Sequence, residues 1–290
     1  MQSSSQPVHR LRTLLVLGRV SNLPTVWSNC LAAWLLAGGG SWPRFALLCA
    51  GATLLYVGGM FLNDAFDADF DRQHRRERPI PSGRIASRTV WTFGISFVLV
   101  GLLTCIPLGW NAVALAGALA LAIVVYDAVH KRFALAPVLM SSCRFLLYLV
   151  AAAATQHGLG ETVIWRALAL ALYVIGLSHL ARGESTGGVA AAWPLAWLLS
   201  PIPLRFLTGA EPKAALTVIA AAILGAWILW CVRGGLFSAK RNFSSGVAGL
   251  LAGIVLVDWL AVAAKPQPIA FVFAGLFVLA LILQRVAPAT

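Results

Sequence analysis

The sequence contains 290 residues, of which 60% are hydrophobic and only 11% are charged. Soluble globular proteins are about 45–50% apolar and about 25% charged, so this composition excludes an ordinary soluble enzyme and indicates an integral membrane protein. The net charge of +12 results from 22 Lys and Arg residues against 10 Asp and Glu residues. Such a basic excess is typical of the cytoplasmic loops of membrane proteins as well as of nucleic-acid-binding proteins.

Apolar segments that are candidates for transmembrane helices recur along the whole chain. A spanning helix needs about 20 mainly apolar residues, and an open β-sheet leaves its backbone unsatisfied in lipid. We therefore predict an all-α integral membrane protein, a multi-spanning helical bundle that forms one domain over residues 1–290. The seventh segment contains three prolines, so we expect it to be kinked or only partly inserted. The ten segments are residues 23–37, 45–62, 89–108, 112–126, 136–155, 163–181, 189–207, 213–232, 246–264 and 269–283.

The distribution of basic residues predicts the orientation of the bundle. With a cytoplasmic N-terminus, sixteen Lys and Arg residues fall on the cytoplasmic side and five on the opposite side, while Arg144 lies inside a predicted helix. This asymmetry follows the positive-inside rule, so the basic excess does not require nucleic acid as a partner. We expect a multi-pass protein of the inner (plasma) membrane, embedded in the lipid bilayer with its N-terminus in the cytoplasm.

The acidic residues are concentrated at the end of the second predicted helix. Four of the six aspartates lie between residues 64 and 71. At about 100° per residue, Asp64, Asp67 and Asp71 share one helical face with Asn63, and we call these four residues the acidic stripe. Asp69 falls on the opposite side. Like charges at these spacings repel one another by roughly a few tenths of a kcal/mol per pair, so we expect cationic groups nearby.

Two interpretations of the acidic stripe are open. The first is a solvated helix end that the following arginine-rich loop neutralises. The second is a site for a hard cation, because oxygen ligands suit Mg²⁺, which prefers one or two carboxylates together with waters and substrate phosphates. A cytoplasmic Mg²⁺ site beside an apolar bundle and six arginines suits a diphosphate carried on a lipid tail. This second interpretation predicts Mg²⁺ as a cofactor.

The residues of the stripe and of the loop behind it also carry a family resemblance. The pattern Asn63-Asp64-x-x-Asp67-x-x-x-Asp71 resembles the NDxxDxxxD signature of the UbiA family of intramembrane aromatic prenyltransferases. Residues 78–84 resemble the RPxxxG stretch of the same family. The motif is long, and its place after the second helix is the place that it has in that family.

The resemblance covers about residues 10–264 and implies nine core helices, with residues 269–287 as an additional tenth helix. It also implies Mg²⁺-dependent transfer of a prenyl group from an isoprenoid diphosphate to a small, aromatic acceptor at the cytoplasmic side. In that reaction Asn63 and the three catalytic carboxylates of the stripe hold the metal, and Arg78 contacts the diphosphate.

The end of the fourth predicted helix adds further candidates through the resemblance. The family often carries a tyrosine and a Lys-Arg pair at this place, which here correspond to Tyr126, Lys131 and Arg132. The basic residues contact the diphosphate in the family, although their spacing here is not identical. The alternative is that Lys131 and Arg132 only anchor the helix end by the positive-inside rule.

Two other polar residues lie close to or within apolar segments. Arg144 is inside the fifth predicted helix, where a charge costs at least about 2.5 kcal/mol on insertion scales and usually faces a functional cavity. Contact with the diphosphate or another substrate group is the favoured interpretation, and a buried pair with an acid is the alternative. Asn22 precedes the first helix, where the family has its acceptor pocket, but it also suits a helix cap.

The sequence departs from the family after the sixth predicted helix. Family enzymes have a second aspartate motif of DxxxD type there, whereas this chain offers only Glu184 as a carboxylate, with Arg182 nearby. One hypothesis is a modified site in which Arg182 binds substrate and Glu184 joins the metal ligands. The other is a catalytically altered protein that binds or transports an isoprenoid or an aromatic, lipid-like molecule.

Overall fold

The structure is a computed structural model that describes residues 6–186, 193–208, 215–236, 243–266 and 268–287. All regular secondary structure in these ranges is helical. The described residues contain no β-strand. In chain order they are α1 (Gln6–Leu17), α2 (Leu23–Leu36), α3 (Trp42–Phe66), α4 (Ala68–His74), α5 (Ser87–Thr104), α6 (Trp110–Val129), α7 (Ala136–Ala153), α8 (Glu161–Thr186), α9 (Pro194–Leu199), α10 (Pro201–Leu207), α11 (Ala215–Leu236), α12 (Phe243–Val262) and α13 (Pro268–Val286).

Eight of these helices are long and apolar enough to cross a membrane: α3, α5, α6, α7, α8, α11, α12 and α13. They coincide with eight of the ten predicted segments and confirm the all-α, multi-spanning architecture. α13 is the predicted additional helix. The structure also contains α1, a helix before the first predicted segment that the hydropathy pattern does not predict.

The first and seventh predicted segments differ from continuous spans. α2 has 14 residues and is therefore about 21 Å long, shorter than the roughly 30 Å hydrocarbon core; a short 3₁₀ turn at Val20–Asn22 precedes it. In the seventh segment, α9 ends before Ser200 and Pro201 begins α10. Proline lacks the backbone N–H needed to continue a helix, which explains this break. The beginning of that segment, up to residue 192, lies outside the described residues.

Small residues let α3 and α5 pack closely. A Cβ atom added at Gly58 of α3 would lie 2.9 Å from the backbone nitrogen of Val98 and 3.0 Å from the carbonyl oxygen of Gly94. One added at Gly101 of α5 would lie 3.0 Å from the backbone nitrogen of Leu55. Glycine at such positions brings two helix backbones together in a membrane protein. This packing fixes α3, whose end carries the acidic stripe.

We expect Gly58→Leu to lower the thermal stability of the protein in detergent, because its side chain meets the α5 backbone, which cannot move aside cheaply. Overpacking of a filled interior costs about 1–3 kcal/mol. Gly117→Leu is the matched control, since a Cβ added there has no atom within 4 Å. Equal melting temperatures for the two variants would contradict this account of the α3–α5 contact.

Polar side chains connect helices at both ends of the bundle. At the end where α3 begins, Arg44 donates from Nε to the carbonyl oxygen of Ala154 (2.7 Å) and from Nη2 to that of Leu108 (2.6 Å). It thereby joins α3 to the ends of α5 and α7, where carbonyl groups lack partners within their own helices. At the other end, α3, α6 and α8 finish beside the start of α2, and the acidic stripe lies there.

Candidate functional site

The acidic stripe lies across the junction between α3 and α4. Asn63 and Asp64 belong to the last turn of α3, Asp67 lies between the helices, and Asp71 lies in α4. The backbone N–H of Asp67 donates to the carbonyl of Asn63 (3.0 Å), and that of Asp71 donates to the carbonyl of Asp67 (2.9 Å). The helical register is therefore kept across the break. As predicted, Asp69 points the other way: its side chain is 89% exposed and pairs with Arg72.

Basic side chains from three other segments meet these carboxylates. Asp64 Oδ1 lies 3.8 Å from Nη2 of Arg19, which precedes α2, and 3.8 Å from Nη1 of Arg78. Asp67 Oδ1 lies 2.8 Å from Nζ of Lys131, just after α6. These contacts supply the cations that the repulsion within the stripe requires. They also place Arg78 and Lys131, both predicted from the sequence, directly at the acids.

Asn63 is held by two hydrogen-bond partners. Its Oδ1 accepts a hydrogen bond from Nη2 of Arg19 (3.3 Å), and its Nδ2 donates to Oδ1 of Asp127 (2.9 Å). Oδ2 of Asp127 and Oδ1 of Asp71 are buried and have no hydrogen-bond partner within the described part of the chain. Because buried polar atoms are normally paired, two such oxygens at one site are candidates for binding a ligand.

Asp67 and Asp71, the two carboxylates of the stripe that lie outside the membrane-spanning segments, differ in the direction in which their pKa values are shifted. Burial alone would raise the pKa of Asp67, but the nearby His130 and Lys131 side chains outweigh it and lower the pKa below its ordinary value. Burial raises the pKa of Asp71, while the charges of Lys131 and Arg78 oppose that rise. Asp67 is therefore the carboxylate of this pair that is held most firmly in its charged form.

The predicted residues at the end of α6 take different places. Nζ of Lys131 lies 3.8 Å from the centre of the Phe70 ring as well as beside the acids, so this side chain is fixed on two sides. The Tyr126 ring stacks on His130 with 4.9 Å between ring centres, and His130 Nε2 lies 3.6 Å from Oδ2 of Asp67. Tyr126 therefore contacts His130, and His130 lies beside Asp67 of the stripe. Arg132 is exposed.

Arg144 and Asn22 belong to a neighbouring set of contacts within the bundle. Arg144 donates from Nη1 to Oδ1 of Asn29 (2.8 Å) and from Nη2 to Oγ1 of Thr25 (2.9 Å). Thr25 Oγ1 donates to the carbonyl oxygen of Asn22 (2.7 Å), so the buried Asn22 is linked to Arg144 through its backbone. No described carboxylate lies within 4.0 Å of the Arg144 nitrogens, and the direct acid pair considered from the sequence is not formed.

The residues after the sixth predicted helix are only partly described. Arg182 donates from Nη2 to the carbonyl oxygens of His130 (2.8 Å) and Phe133 (3.1 Å), and from Nη1 to that of Ala134 (2.9 Å). These bonds hold the loop between α6 and α7, which carries Lys131. The side chain of Glu184 lies outside the described residues, so its predicted place among the metal ligands stays a prediction.

Two residues at the site were not predicted as site residues. They are Arg19, which contacts Asp64 and Asn63, and Asp127, which accepts a hydrogen bond from Asn63. Arg19 has a left-handed backbone conformation (φ 41°), which is strained for a residue with a Cβ atom and is often found at functional sites. The scarcity of acids is the signal that could have singled out Asp127, since this chain has only ten.

The donor chemistry of the site fits Mg²⁺. Among the described side chains, no three His, Cys, Asp or Glu residues converge into a ready metal cage. Mg²⁺ does not need one, because it keeps several waters and binds through one or two carboxylates together with substrate phosphates. The buried Oδ1 of Asp71, which lacks a partner, and the charged carboxylate of Asp67 are suitable oxygen donors.

The fold and the site together define a multi-pass integral membrane protein with a polar site of acids and bases at one end of an apolar helical bundle. A family model described as the UbiA prenyltransferase family matches residues 22–238. The chain therefore belongs to the UbiA prenyltransferase family, which confirms the family and the class of enzyme that the motif predicts.

Sequence relatives agree with this assignment. The chain is 29% identical over 277 residues to digeranylgeranylglyceryl phosphate synthase from Ignicoccus hospitalis, which covers 89% of this chain and 86% of the relative. It is 33% identical over 160 residues to the mitochondrial 4-hydroxybenzoate polyprenyltransferase of Aedes aegypti, which covers 53% of this chain and 34% of the relative. Of several curated relatives, the chain spans about a quarter to about a third of the length.

A solved structure shares the fold. The structure of a UbiA homolog from Archaeoglobus fulgidus bound to GPP and Mg²⁺ matches with a TM-score of 0.55, at 14% sequence identity, over 94% of this chain and 99% of that chain. At this identity the match supports the architecture alone.

Proposed function

We propose that the protein transfers a prenyl group from an isoprenoid diphosphate to an aromatic acceptor, in a reaction that depends on Mg²⁺. The observation that carries this proposal is the arrangement of the acidic stripe: three carboxylates and an amide on one side, faced by Arg19, Arg78 and Lys131, at the end of an apolar bundle. Such a site suits a ligand with a multiply charged head and a long apolar tail.

The metal-binding residues would be Asn63, Asp64, Asp67 and Asp71. When bound there, Mg²⁺ supplies positive charge to the diphosphate as the bond between the prenyl carbon and the phosphate oxygen breaks. Arg78 and Lys131 add N–H donors and positive charge on the same side, where negative charge develops on the leaving group.

The prenyl carbon then carries the positive charge as an allylic cation, which the electron-rich carbon of the acceptor ring attacks. The ring afterwards loses a proton. The interior of the bundle is lined by apolar side chains, which exclude the water that would otherwise capture the cation. Tyr126 and Asn22, both beside this end of the bundle, are the proposed substrate contacts beyond the acids and bases.

The names of the relatives differ in the acceptor that they indicate. The Aedes aegypti relative is named for an aromatic acid, and the Ignicoccus hospitalis relative for a glyceryl phosphate. The Archaeoglobus fulgidus homolog was bound to GPP and Mg²⁺. Prenyl diphosphate and Mg²⁺ are therefore the constant elements of the proposal.

The proposed location of the reaction is the cytoplasmic face of the inner (plasma) membrane. The stripe lies at the end of the bundle that carries the arginine-rich loop after α4, and the positive-inside rule places such loops in the cytoplasm. We propose the same side for the N-terminus. A soluble isoprenoid diphosphate head would reach the site from the cytoplasm while its tail enters the bundle.

A prenyl-transfer assay tests the proposal. The purified full-length protein in liposomes is incubated with prenyl diphosphates labelled in the chain, from dimethylallyl diphosphate to longer donors, and with a panel of aromatic and glyceryl phosphate acceptors. We expect Mg²⁺-dependent release of diphosphate and label in an acceptor adduct. Retained binding of every donor without cleavage would instead support a protein that binds or transports such lipids.

A further inference from the structure

A second polar cluster lies within the membrane-spanning part of the bundle, where three helices meet. Asp258 of α12 is 1% exposed, and its Oδ2 accepts hydrogen bonds from Nδ2 of Asn29 (2.7 Å) and from Oγ of Ser28 (2.5 Å). Both partners belong to α2 and are fully buried. An ionisable residue at such depth is costly and is usually functional, so this carboxylate needs an explanation.

Asn29 connects this carboxylate to Arg144 of α7. Its Nδ2 faces Asp258, and its Oδ1 accepts from Nη1 of Arg144 (2.8 Å). We call these three residues the arginine relay. The carboxylate fixes which way the amide of Asn29 points, because only the amide nitrogen can donate to it. The amide oxygen must then face the guanidinium.

The relay differs from every ion pair at the acidic stripe. There, Arg78 and Lys131 have a carboxylate within 4.0 Å, at 3.8 and 2.8 Å respectively. Arg144 has none among the described residues, because the amide of Asn29 stands between it and Asp258.

The position of Arg144 suggests what this arrangement serves. It lies eight residues after the first residue of α7, or about 12 Å along that helix from the end where the acidic stripe lies. Its side chain is only partly buried, and the guanidinium carbon lies 5.8 Å from the centre of the Tyr56 ring. Two of its nitrogens are fixed by Asn29 and Thr25, which leaves further N–H groups of the fork for a ligand.

We propose that Asn29 and Asp258 are positioning residues that hold Arg144 as a cation without a directly paired carboxylate, so that it binds an anionic group of a substrate inside the bundle. The proposal rests on the proposed function, which supplies two sources of such a group: the diphosphate of the donor and an acidic group on the acceptor. Both chemistries fit a guanidinium fork.

The test exchanges the amide and the carboxylate in one double variant, Asn29→Asp with Asp258→Asn. This exchange keeps both charges and a hydrogen bond at each step, but it puts a carboxylate directly on Arg144. Binding of inorganic pyrophosphate and of 4-hydroxybenzoate to the purified full-length protein is measured without Mg²⁺, with methyl 4-hydroxybenzoate as the neutral control. Ser28→Ala, which touches Asp258 but not the relay's amide, is the matched control variant.

We expect the double variant to unfold at a temperature close to that of the wild type and to lose at least about tenfold in affinity for one of the two anions. Arg144→Gln should lose the same anion, and Ser28→Ala should keep it. Loss of pyrophosphate identifies the donor as the source, and loss of 4-hydroxybenzoate identifies the acceptor. A purely structural relay predicts wild-type binding by the double variant.

Wild-type affinities in the double variant, or anion binding that Arg144→Gln leaves unchanged, would overturn the inference. If the double variant does not fold, Asn29→Ala makes the test, because it removes the amide that positions Arg144 without adding a charge beside Asp258, and the same loss of anion binding is expected. Asp67→Ala separates this inference from the proposed function. It should abolish prenyl transfer and keep binding that depends on Arg144, so the two proposals can fail independently.

Discussion

Asp67→Ala is expected to lower Mg²⁺-dependent release of diphosphate by at least about a hundredfold, because it removes the carboxylate that is held most firmly in its charged form. The same change leaves Lys131 without the partner that lies 2.8 Å away. The measurement is the initial rate of release from geranyl diphosphate at saturating Mg²⁺. A raised Mg²⁺ requirement should accompany the loss of rate.

Asp69→Ala is the control for this prediction. Asp69 lies two residues away in the same acidic segment, but its side chain is 89% exposed and pairs with Arg72 on the outer face. Its removal should change the rate by less than about twofold, as is usual for exposed positions. Equal losses in the two variants would show that the acidic segment acts only through its total charge, and that the stripe is not a metal site.

Arg78→Gln is expected to lower kcat/KM for the prenyl diphosphate by about ten- to a hundredfold. Arg78 lies 3.8 Å from Asp64, so its guanidinium is placed to share the diphosphate with a metal held by the stripe. Loss of a charge that acts on the leaving group should lower kcat as well as raise KM. Steady-state kinetics over a range of donor concentrations separates the two effects.

Arg76→Gln provides the comparison, because Arg76 is two residues away in the same loop and is exposed. Both variants lose one positive charge from the same surface. A loss confined to Arg78→Gln supports a specific contact with the diphosphate. If Arg76→Gln causes the same loss, and the loss disappears at high ionic strength, the loop acts through long-range attraction alone.

Much of the acidic stripe could be predicted from the sequence because helical spacing is a local property. The four residues Asn63, Asp64, Asp67 and Asp71 share a face, and Asp69 is turned away, although the helix is interrupted at Asp67. The helical register of these residues is kept across the interruption, because the backbone hydrogen bonds continue across it. Hydropathy likewise predicted ten spans, of which eight correspond to described helices that are long and apolar enough to cross a membrane, and prolines predicted the broken seventh segment.

The partners of these residues could not be predicted, because they come from helices far apart in the chain. Lys131 meets Asp67 only because α6 ends beside α3, and spacing along the chain carries no information about that. Asp258 had no predictable partner for the same reason: Asn29 lies 229 residues away. A sequence signal for this contact exists in retrospect, since Ser28 and Asn29 are adjacent polar residues in an apolar helix.

Arg182 shows how a family motif can point to a place without describing its local role. The resemblance indicated a second acidic motif after the sixth helix, and Arg182 was a candidate for substrate binding. In the structure its donors hold carbonyl oxygens of the loop that carries Lys131. Arg182 therefore stabilises the loop that carries Lys131, whatever contact it makes with substrate.

Prenyl transfer itself can be measured in liposomes with an isoprenoid diphosphate that is labelled in its chain. We expect label to move into an acceptor adduct and diphosphate to be released in equal amount, and we expect both to require Mg²⁺ and Asp67. Intact donor that stays bound to the folded protein, with no release for any chain length or acceptor at any Mg²⁺ concentration, would contradict the proposed function.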